Sequence, residues 1–385
     1  MLRIAHIVND EKFIDTAIEI FNQIKDSIHS TFYCYTKYPL KYIFNKEDIQ
    51  IFNNENAIIE EINKSEACII LLHSRFLSYN VLSKIDKKKK LIWISWGYDL
   101  YNQTPYLFIN PAPINFNIYK PLTRSYLRKE FSLKYLIKYF FKLQFIRDKI
   151  NKNKFYNRVD YLSTILPVEL EYANLFLRKY NIKKFYFSYM RQNVTIPVVS
   201  NINVSNKENI LLGNSAAETN NHVDVLKVIS KLNINHRKII IPLSYCGNNN
   251  YINYLESKVK EFKLENNVIY LKAFIPYADY TKILDSVGYA FFGHIRQQAI
   301  GNINILLRNG CKIFLYKDSL TYKQYTKDGY KIYTIEDIKN DSFIHLSQSD
   351  IEENLSLAQA KGNYDKYISS LKDDIIKIAS NLCQK

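Results

Sequence analysis

The run Arg296-Gln297-Gln298 sets a guanidinium and two carboxamides directly after the apolar stretch Val287–Phe292 and the turn Gly293-His294-Ile295. A buried strand that ends in such a group, followed by a helix, presents a fixed cation and amide donors beside a helix N-terminus, and that combination suits a phosphate. The apolar spacing predicts the helix from about Gln297 to Arg308, a stop at Asn309-Gly310, and a further strand over Cys311–Tyr316. A second group with similar chemistry is Gly213-Asn214-Ser215 after the short apolar run Asn209–Leu212, with Asn220 and His222 close behind. An ordinary capped turn explains that group equally well, and turn amides at a helix start can also hold a phosphate. Tyr245 follows the strand Arg237–Pro242 and could face a nucleotide or pack in the core. Two further polar side chains sit at strand ends in the first half: His73, and Asp99 in Trp96-Gly97-Tyr98-Asp99. Either would serve as a general base if a substrate hydroxyl came within hydrogen-bond reach. Either would equally serve a turn.

The elements that position these groups alternate. Strands are expected at Leu2–Val8, Thr31–Tyr35, Ile49–Phe52, Ala67–His73 and Leu91–Trp96, with helices over about Glu11–Lys25, Asn56–Lys64 and Arg75–Lys84. A second series starts at Asn209 after the polar stretch Thr195–Glu208. Such alternation predicts parallel sheets covered by helices, in two α/β domains: residues 1–200, residues 205–350, and closing helices over 351–385.

Between them the character changes. Over about 120–158 lysines and arginines are interleaved with aromatics, among them Lys134, Lys138, Phe140, Phe141 and Lys142, opposed only by Glu130 and Asp148. A basic aromatic helix of this kind suits an anionic membrane surface, whereas the simpler expectation is a helical hairpin packed on the first domain.

Charge and composition narrow the classes. A net charge of +16 at pH 7 favours anionic partners. Aromatics beside cations would also suit single-stranded nucleic acid, but no nucleic-acid-binding motif accompanies them, and none is expected as a partner. The abundance of Tyr (32) and Phe (22) with only 9 Gly is what an AT-rich genome would give. Five scattered cysteines without a CxxC pair argue for reduced thiols rather than a zinc site or a disulfide framework. No apolar stretch approaches a membrane span and the N-terminus lacks a signal-peptide core, so the expectation is a cytosolic chain, free or bound at a membrane surface.

Four motifs then fall in a familiar order. Trp96-Gly97-Tyr98-Asp99-Leu100-Tyr101, Leu212-Gly213-Asn214-Ser215 with Thr219-Asn220-Asn221-His222, Ile241-Pro242-Leu243-Ser244-Tyr245 with Asn248-Asn249, and Arg296-Gln297-Gln298 with Gly301 resemble the WGADLY, LVGNS…SN.H, VPMGYP.NN and ARQQGIG elements of the bacterial TDP-N-acetylfucosamine:lipid II N-acetylfucosaminyltransferases, glycosyltransferase family 56. The match is best from about Ile210 to Asp337 and patchy before Leu91.

The resemblance implies a GT-B fold, two doubly wound Rossmann-like domains facing a cleft. It also implies transfer of a deoxyamino sugar from a TDP donor to an undecaprenyl-diphosphate-linked saccharide, by a peripheral protein at the cytoplasmic face of the bacterial inner membrane. Under it Arg296, Gln297, Gln298, Gly301, Gly213, Asn214, Ser215, Asn220, His222 and Tyr245 bind the donor. The chain has no Asp-x-Asp motif, so no metal or other cofactor is expected and protein donors would offset the diphosphate charge. The chain departs from the family at Ala299, where the family has glycine after Arg-Gln-Gln, and at Ile295, where the family has a small residue. Two alternatives stay open: another GT-B transferase of O-antigen or capsule assembly, and a non-catalytic nucleic-acid-binding protein.

Overall fold

The computed structural model describes residues 1–45, 48–101, 117–130, 144–190, 202–234, 236–339, 342–361 and 363–383. The expected membrane contacts Lys134, Lys138, Phe140, Phe141 and Lys142 lie outside the described residues.

Two parallel sheets carry the chain. The first has seven strands in the order β3-β2-β1-β4-β5-β6-β7. They are β1 (Leu2–Asn9), β2 (Ile28–Tyr35), β3 (Ile49–Phe52), β4 (Ile69–His73), β5 (Lys90–Ile94), β6 (Tyr161–Ser163) and β7 (Lys183–Lys184). The second has six strands in the order β10-β9-β8-β11-β12-β13. These are β8 (Asn209–Leu212), β9 (Ile239–Pro242), β10 (Val268–Leu271), β11 (Val287–Phe292), β12 (Lys312–Leu315) and β13 (Tyr333–Thr334). The central strands, β4 and β11, are buried along their whole length and read as continuous apolar runs, as parallel strands covered on both faces must. In each sheet the strand order reverses once, between β1 and β4 and between β8 and β11. Crevices at such reversals, beyond the strands' carboxyl ends, are where ligands bind in open α/β sheets.

Several elements depart from the expected boundaries. The helix expected from Gln297 starts only at Ile300, because Ala299 adopts a left-handed conformation (φ 60°) through which an α-helix cannot continue. Arg296, Gln297 and Gln298 therefore belong to the loop after β11. The apolar spacing also predicts a helix over Thr219–Lys231, and it is likewise split: Asn221 is left-handed (φ 50°) between a short 3-10 turn and the helix His222–Ile229. The helix expected over Arg75–Lys84 shrinks to Tyr79–Leu82.

The flanks of the basic aromatic run are built into the core. Helix Pro121–Glu130 docks on the second domain, where Asp224 accepts from the amides of Leu122 (2.8 Å) and Thr123 (2.9 Å) and from the Thr123 hydroxyl (2.7 Å). A carboxylate at a helix N-terminus satisfies amides that the helix itself leaves free. Tyr126, on the same helix, stacks on Tyr254 at 4.4 Å. At the other flank, helix Gln144–Arg158 buries Phe155 and Tyr156 completely, beside Trp93 of β5. The last helix, Tyr364–Cys383, returns to the first sheet: Tyr367, Leu371, Ile375 and Ile378 join the core around Ile4, Phe21 and Phe32.

Candidate active site between the two domains

The loops after β8 and β11 leave adjacent strands side by side at the reversal point of the second sheet. Gln298 ties them together. Its amide donates to Asn214 Oδ1 (2.8 Å), and its carbonyl oxygen accepts from the Thr219 hydroxyl (2.8 Å). Asn220 donates to the Ser215 carbonyl (2.9 Å) and hydroxyl (3.1 Å), and Asn221 donates to the Gly293 carbonyl (2.8 Å). Gly213 has φ 70°, and a side chain there would meet His222 Nε2 at 2.7 Å and Asn220 Oδ1 at 3.1 Å. Only glycine admits that approach.

Arg296 is the cation of this group. One Nη donates to the Gln297 carbonyl (3.0 Å) and the other reaches the Thr219 hydroxyl (3.4 Å), while Nε finds no hydrogen-bond partner among the described residues. Burial lowers its pKa, against the opposing effect of Tyr101, Tyr119 and Glu169. Asn220 Oδ1, His222 Nε2 and His294 Nε2 are also buried without a hydrogen-bond partner among the described residues. Burial holds both histidines neutral, each pushed down to about 3. Buried polar groups are normally paired, so unpaired ones gathered at a strand reversal mark a place shaped for an absent ligand. Gly301 lies in the first turn of the helix that opens on this loop, with open space where a side chain would stand. Tyr245 is 44% exposed at the cleft, with the Lys12 ammonium of the first domain 5.2 Å from its ring.

The first domain meets this loop through Tyr101 and Gly97. The Tyr101 hydroxyl donates to buried Glu169 and lies 3.3 Å from the Gln297 amide, and the Gln297 side chain covers Gly97. Sequence reading assigned Tyr101 and Glu169 no role. Glu169 resembles any acid in the first turn of a helix, and it does bond back to the Leu166 amide (3.2 Å) as a cap would. Nothing local signals its second partner.

Burial raises the Glu169 carboxyl to about 7 from the 4.5 of an exposed glutamate, more than the Tyr101 and Leu166 hydrogen bonds and Arg296 pull it down. The folded state then binds the proton more tightly than the unfolded chain, so this stabilisation is complete below pH 4.5 and is lost as pH rises through 7. At ~1.4 kcal/mol per unit the loss amounts to about 3 kcal/mol. In urea unfolding between pH 5 and 8 the wild type is expected to lose stability relative to Glu169→Gln as pH rises, on top of the opposite slope that the buried neutral histidines give both proteins. Equal slopes would reject it.

The two first-domain base candidates are closed. Asp99 accepts from Ser95 Oγ (2.6 Å), the Trp96 amide (3.2 Å), Trp93 Nε1 (2.8 Å) and the Arg75 amide (2.8 Å), which leaves its carboxylate saturated by the turn it closes. His73 is fully buried between His6 (2.9 Å) and the Tyr189 hydroxyl (2.6 Å), and burial lowers it to about 3. Neither offers a free lone pair to the cleft.

Ala299 explains one departure from the expected pattern. Its left-handed backbone favours glycine, and an alanine there costs ~1 kcal/mol. Ala299→Gly is expected to raise stability by about that amount in denaturant unfolding. A loss of stability would show that the alanine methyl makes a packing contact that outweighs the strain.

Comparison with known proteins follows this geometry. The sequence profile of the family described as 4-alpha-L-fucosyltransferase, glycosyl transferase group 56, matches residues 128–361. The chain superposes along nearly its whole length on solved structures at low identity. One is Anabaena HepE in complex with UDP-glucose (TM-score 0.60, 9% identity, 99% of this chain and 100% of that one). Another is an α,α-trehalose 6-phosphate synthase from Burkholderia multivorans (0.63, 7%, 100% and 99%). A third is a glycosyltransferase from Rickettsia africae (0.59, 13%, 100% and 99%). At these identities the likeness speaks to fold, and the fold is GT-B.

Proposed function

The chain belongs to glycosyl transferase group 56 and is a hexosyltransferase, and from this premise we propose that it moves a 4-acetamido-4,6-dideoxygalactose-type sugar from a TDP donor to an undecaprenyl-diphosphate-linked saccharide in surface polysaccharide synthesis. The observation that carries the donor side is Arg296: a part-buried guanidinium whose buried Nε has no partner among the described residues, at the strand reversal of the second domain and facing the first. As the sugar–oxygen bond breaks, the diphosphate gains charge, and a fixed cation in a dry site stabilises it without reorganisation. In this reading Gln298, held by Asn214 and Thr219, orients the phosphates with Ser215, and the free amides around Gly301 at the helix start complete the cradle. Gln297 spans the cleft to Gly97 and Tyr101. Gly213 admits the close approach of Asn220 and His222, whose polar atoms face the rest of the nucleotide sugar in this reading, and Tyr245 closes the outer side. On the acceptor side, Lys134, Lys138, Phe140, Phe141 and Lys142 contact the anionic inner-membrane face. Among the described residues no helix is long and apolar enough to cross a membrane, which is compatible with peripheral attachment.

Thermal unfolding of the full chain with TDP-, UDP- and GDP-linked sugars tests the donor. A ligand that binds only the native state raises the unfolding temperature with its concentration. A shift with TDP-linked compounds larger than with the others supports the reading. A preference for UDP- or GDP-linked sugars would move the chain to another donor within the same fold.

A further inference from the structure

We propose that Glu11 is the general base that takes the proton from the acceptor hydroxyl, an assignment that rests on the glycosyltransfer reading above. The loop after β1 stands at the strand reversal of the first sheet, the counterpart of the place where Gly213 and Arg296 stand in the second. That loop reaches the second domain, since Lys12 holds its ammonium 5.3 Å from the ring of Phe13 and 5.2 Å from that of Tyr245.

The neighbouring carboxylates on this rim are occupied. Asp10 accepts from the amides of Lys41 (2.6 Å), Tyr42 (3.0 Å) and Ile43 (3.1 Å), and Asp15 from those of Phe44 (3.0 Å) and Asn45 (3.2 Å). Asp99 is saturated by its turn and Glu169 lies behind Tyr101. Glu11 is half-buried; its carboxylate accepts from the Lys12 amide and makes no hydrogen bond to another side chain among the described residues. Its charge acts on Tyr98 from the loop after β5 and on Tyr245 and Cys246 from the loop after β9. Cys246, next to the Tyr245 ring that Lys12 faces at 5.2 Å, feels Glu11, Arg296 and Lys12, so the carboxylate and the guanidinium act on one loop from opposite domains.

Three aromatic rings gather beside this loop. Phe13, 41% exposed, lies 5.9 Å from Trp96 and 5.6 Å from Tyr189, and the Trp96 indole donates to the Tyr189 hydroxyl (2.7 Å). Burial raises the Glu11 pKa, with Asp10 acting in the same direction and Lys12 against it, which makes the carboxylate a better base than an exposed one.

In the step itself the acceptor O–H proton passes to a Glu11 oxygen as the acceptor oxygen forms its bond to the anomeric carbon. The bond from that carbon to the diphosphate oxygen breaks, and its electron pair leaves with the nucleoside diphosphate, whose charge Arg296 meets. A single displacement of this kind inverts the anomeric configuration.

Glu11→Gln and Glu11→Asp in the full chain test the assignment, with turnover read as nucleoside diphosphate release in the presence of lipid-linked acceptor and donor-site integrity read as the TDP-induced shift in unfolding temperature. The expected result is a fall in kcat of ~100-fold or more for Glu11→Gln, a smaller fall for Glu11→Asp, and an unchanged TDP shift in both. The acidic limb of the wild-type kcat–pH profile should vanish in the residual activity of Glu11→Gln. The groups facing Glu11 that also bear on that profile are Asp10, Lys12, Tyr98, Tyr245, Cys246 and Arg296. Turnover by Glu11→Gln within about threefold of wild type, below the smallest effect expected of a base, overturns the assignment alone. So does a loss of TDP binding that matches the loss of turnover, since Glu11 would then be a donor contact. A wild-type chain that binds no nucleoside diphosphate overturns the glycosyltransfer reading and the assignment with it.

Discussion

Arg296→Ala is expected to lower kcat/KM by roughly two to three orders of magnitude, the scale on which removal of one fixed donor to a developing negative charge is felt. The guanidinium is part-buried, its two Nη atoms are spent on the Gln297 carbonyl and the Thr219 hydroxyl, and its buried Nε has no partner among the described residues. A buried donor so left unpaired costs stability in the ligand-free protein. The variant should therefore unfold at the same or a higher temperature than wild type without ligand, and lose most of the shift that TDP induces. That opposition separates a ligand contact from a structural arginine, whose removal would lower stability and leave binding untouched. Arg296→Lys should recover little, because an ammonium cannot reproduce the planar fork that spans Gln297, Thr219 and the vacant Nε direction. An unchanged TDP shift in Arg296→Ala would remove this residue from the donor site.

Removal of the last helix, Tyr364–Cys383, with the residues after it is expected to abolish cooperative folding. Tyr367, Leu371, Ile375 and Ile378 lie on one helical face and enter the core of the first sheet with Ile4, Phe21, Phe32 and Phe187. Burying four side chains of this size contributes about 1.5–3 kcal/mol each, a sum of the order of a domain's whole stability of about 5–15 kcal/mol. The helix is also pinned at Tyr367, whose hydroxyl donates to the Ser188 carbonyl (2.7 Å) and accepts from the Ser188 amide (3.0 Å). Its neighbour Gln348–Lys361 packs on the second domain through Ile351 and Leu355, so the chain's end straps one domain to the other. Leu371→Ala alone should cost about 2–5 kcal/mol in urea unfolding. A truncated chain that unfolds cooperatively at the wild-type midpoint would show that the helix merely rests on the surface.

The two parallel α/β series were legible because a buried parallel strand needs a continuous apolar run and its covering helix an amphipathic one, and both patterns are local. Val287–Phe292 and Ala67–His73 are examples, read as strands from composition and found as the buried β11 and, over Ile69–His73, β4. Boundaries set by backbone conformation were less legible. Ala299 and Asn221 take left-handed geometry that nothing in an alanine or an asparagine demands, and each shortens an expected helix.

The sequence by itself determined the family, the alternation that builds two facing doubly wound domains, and the placement of Arg296, Gln297 and Gln298 just beyond a buried strand. These follow from residue type and spacing along the chain. Only the tertiary structure decided which polar groups are already satisfied and which still lack a partner. Asp99 is closed partly by the Arg75 amide, His73 by His6 and Tyr189, and Tyr101 by Glu169, all brought together by the fold. A side chain is available for chemistry only when no such partner has claimed it, and its partners are chosen by packing in space. For that reason His73 and Asp99 looked open in one dimension and proved closed in three, while Arg296 kept an unpartnered nitrogen.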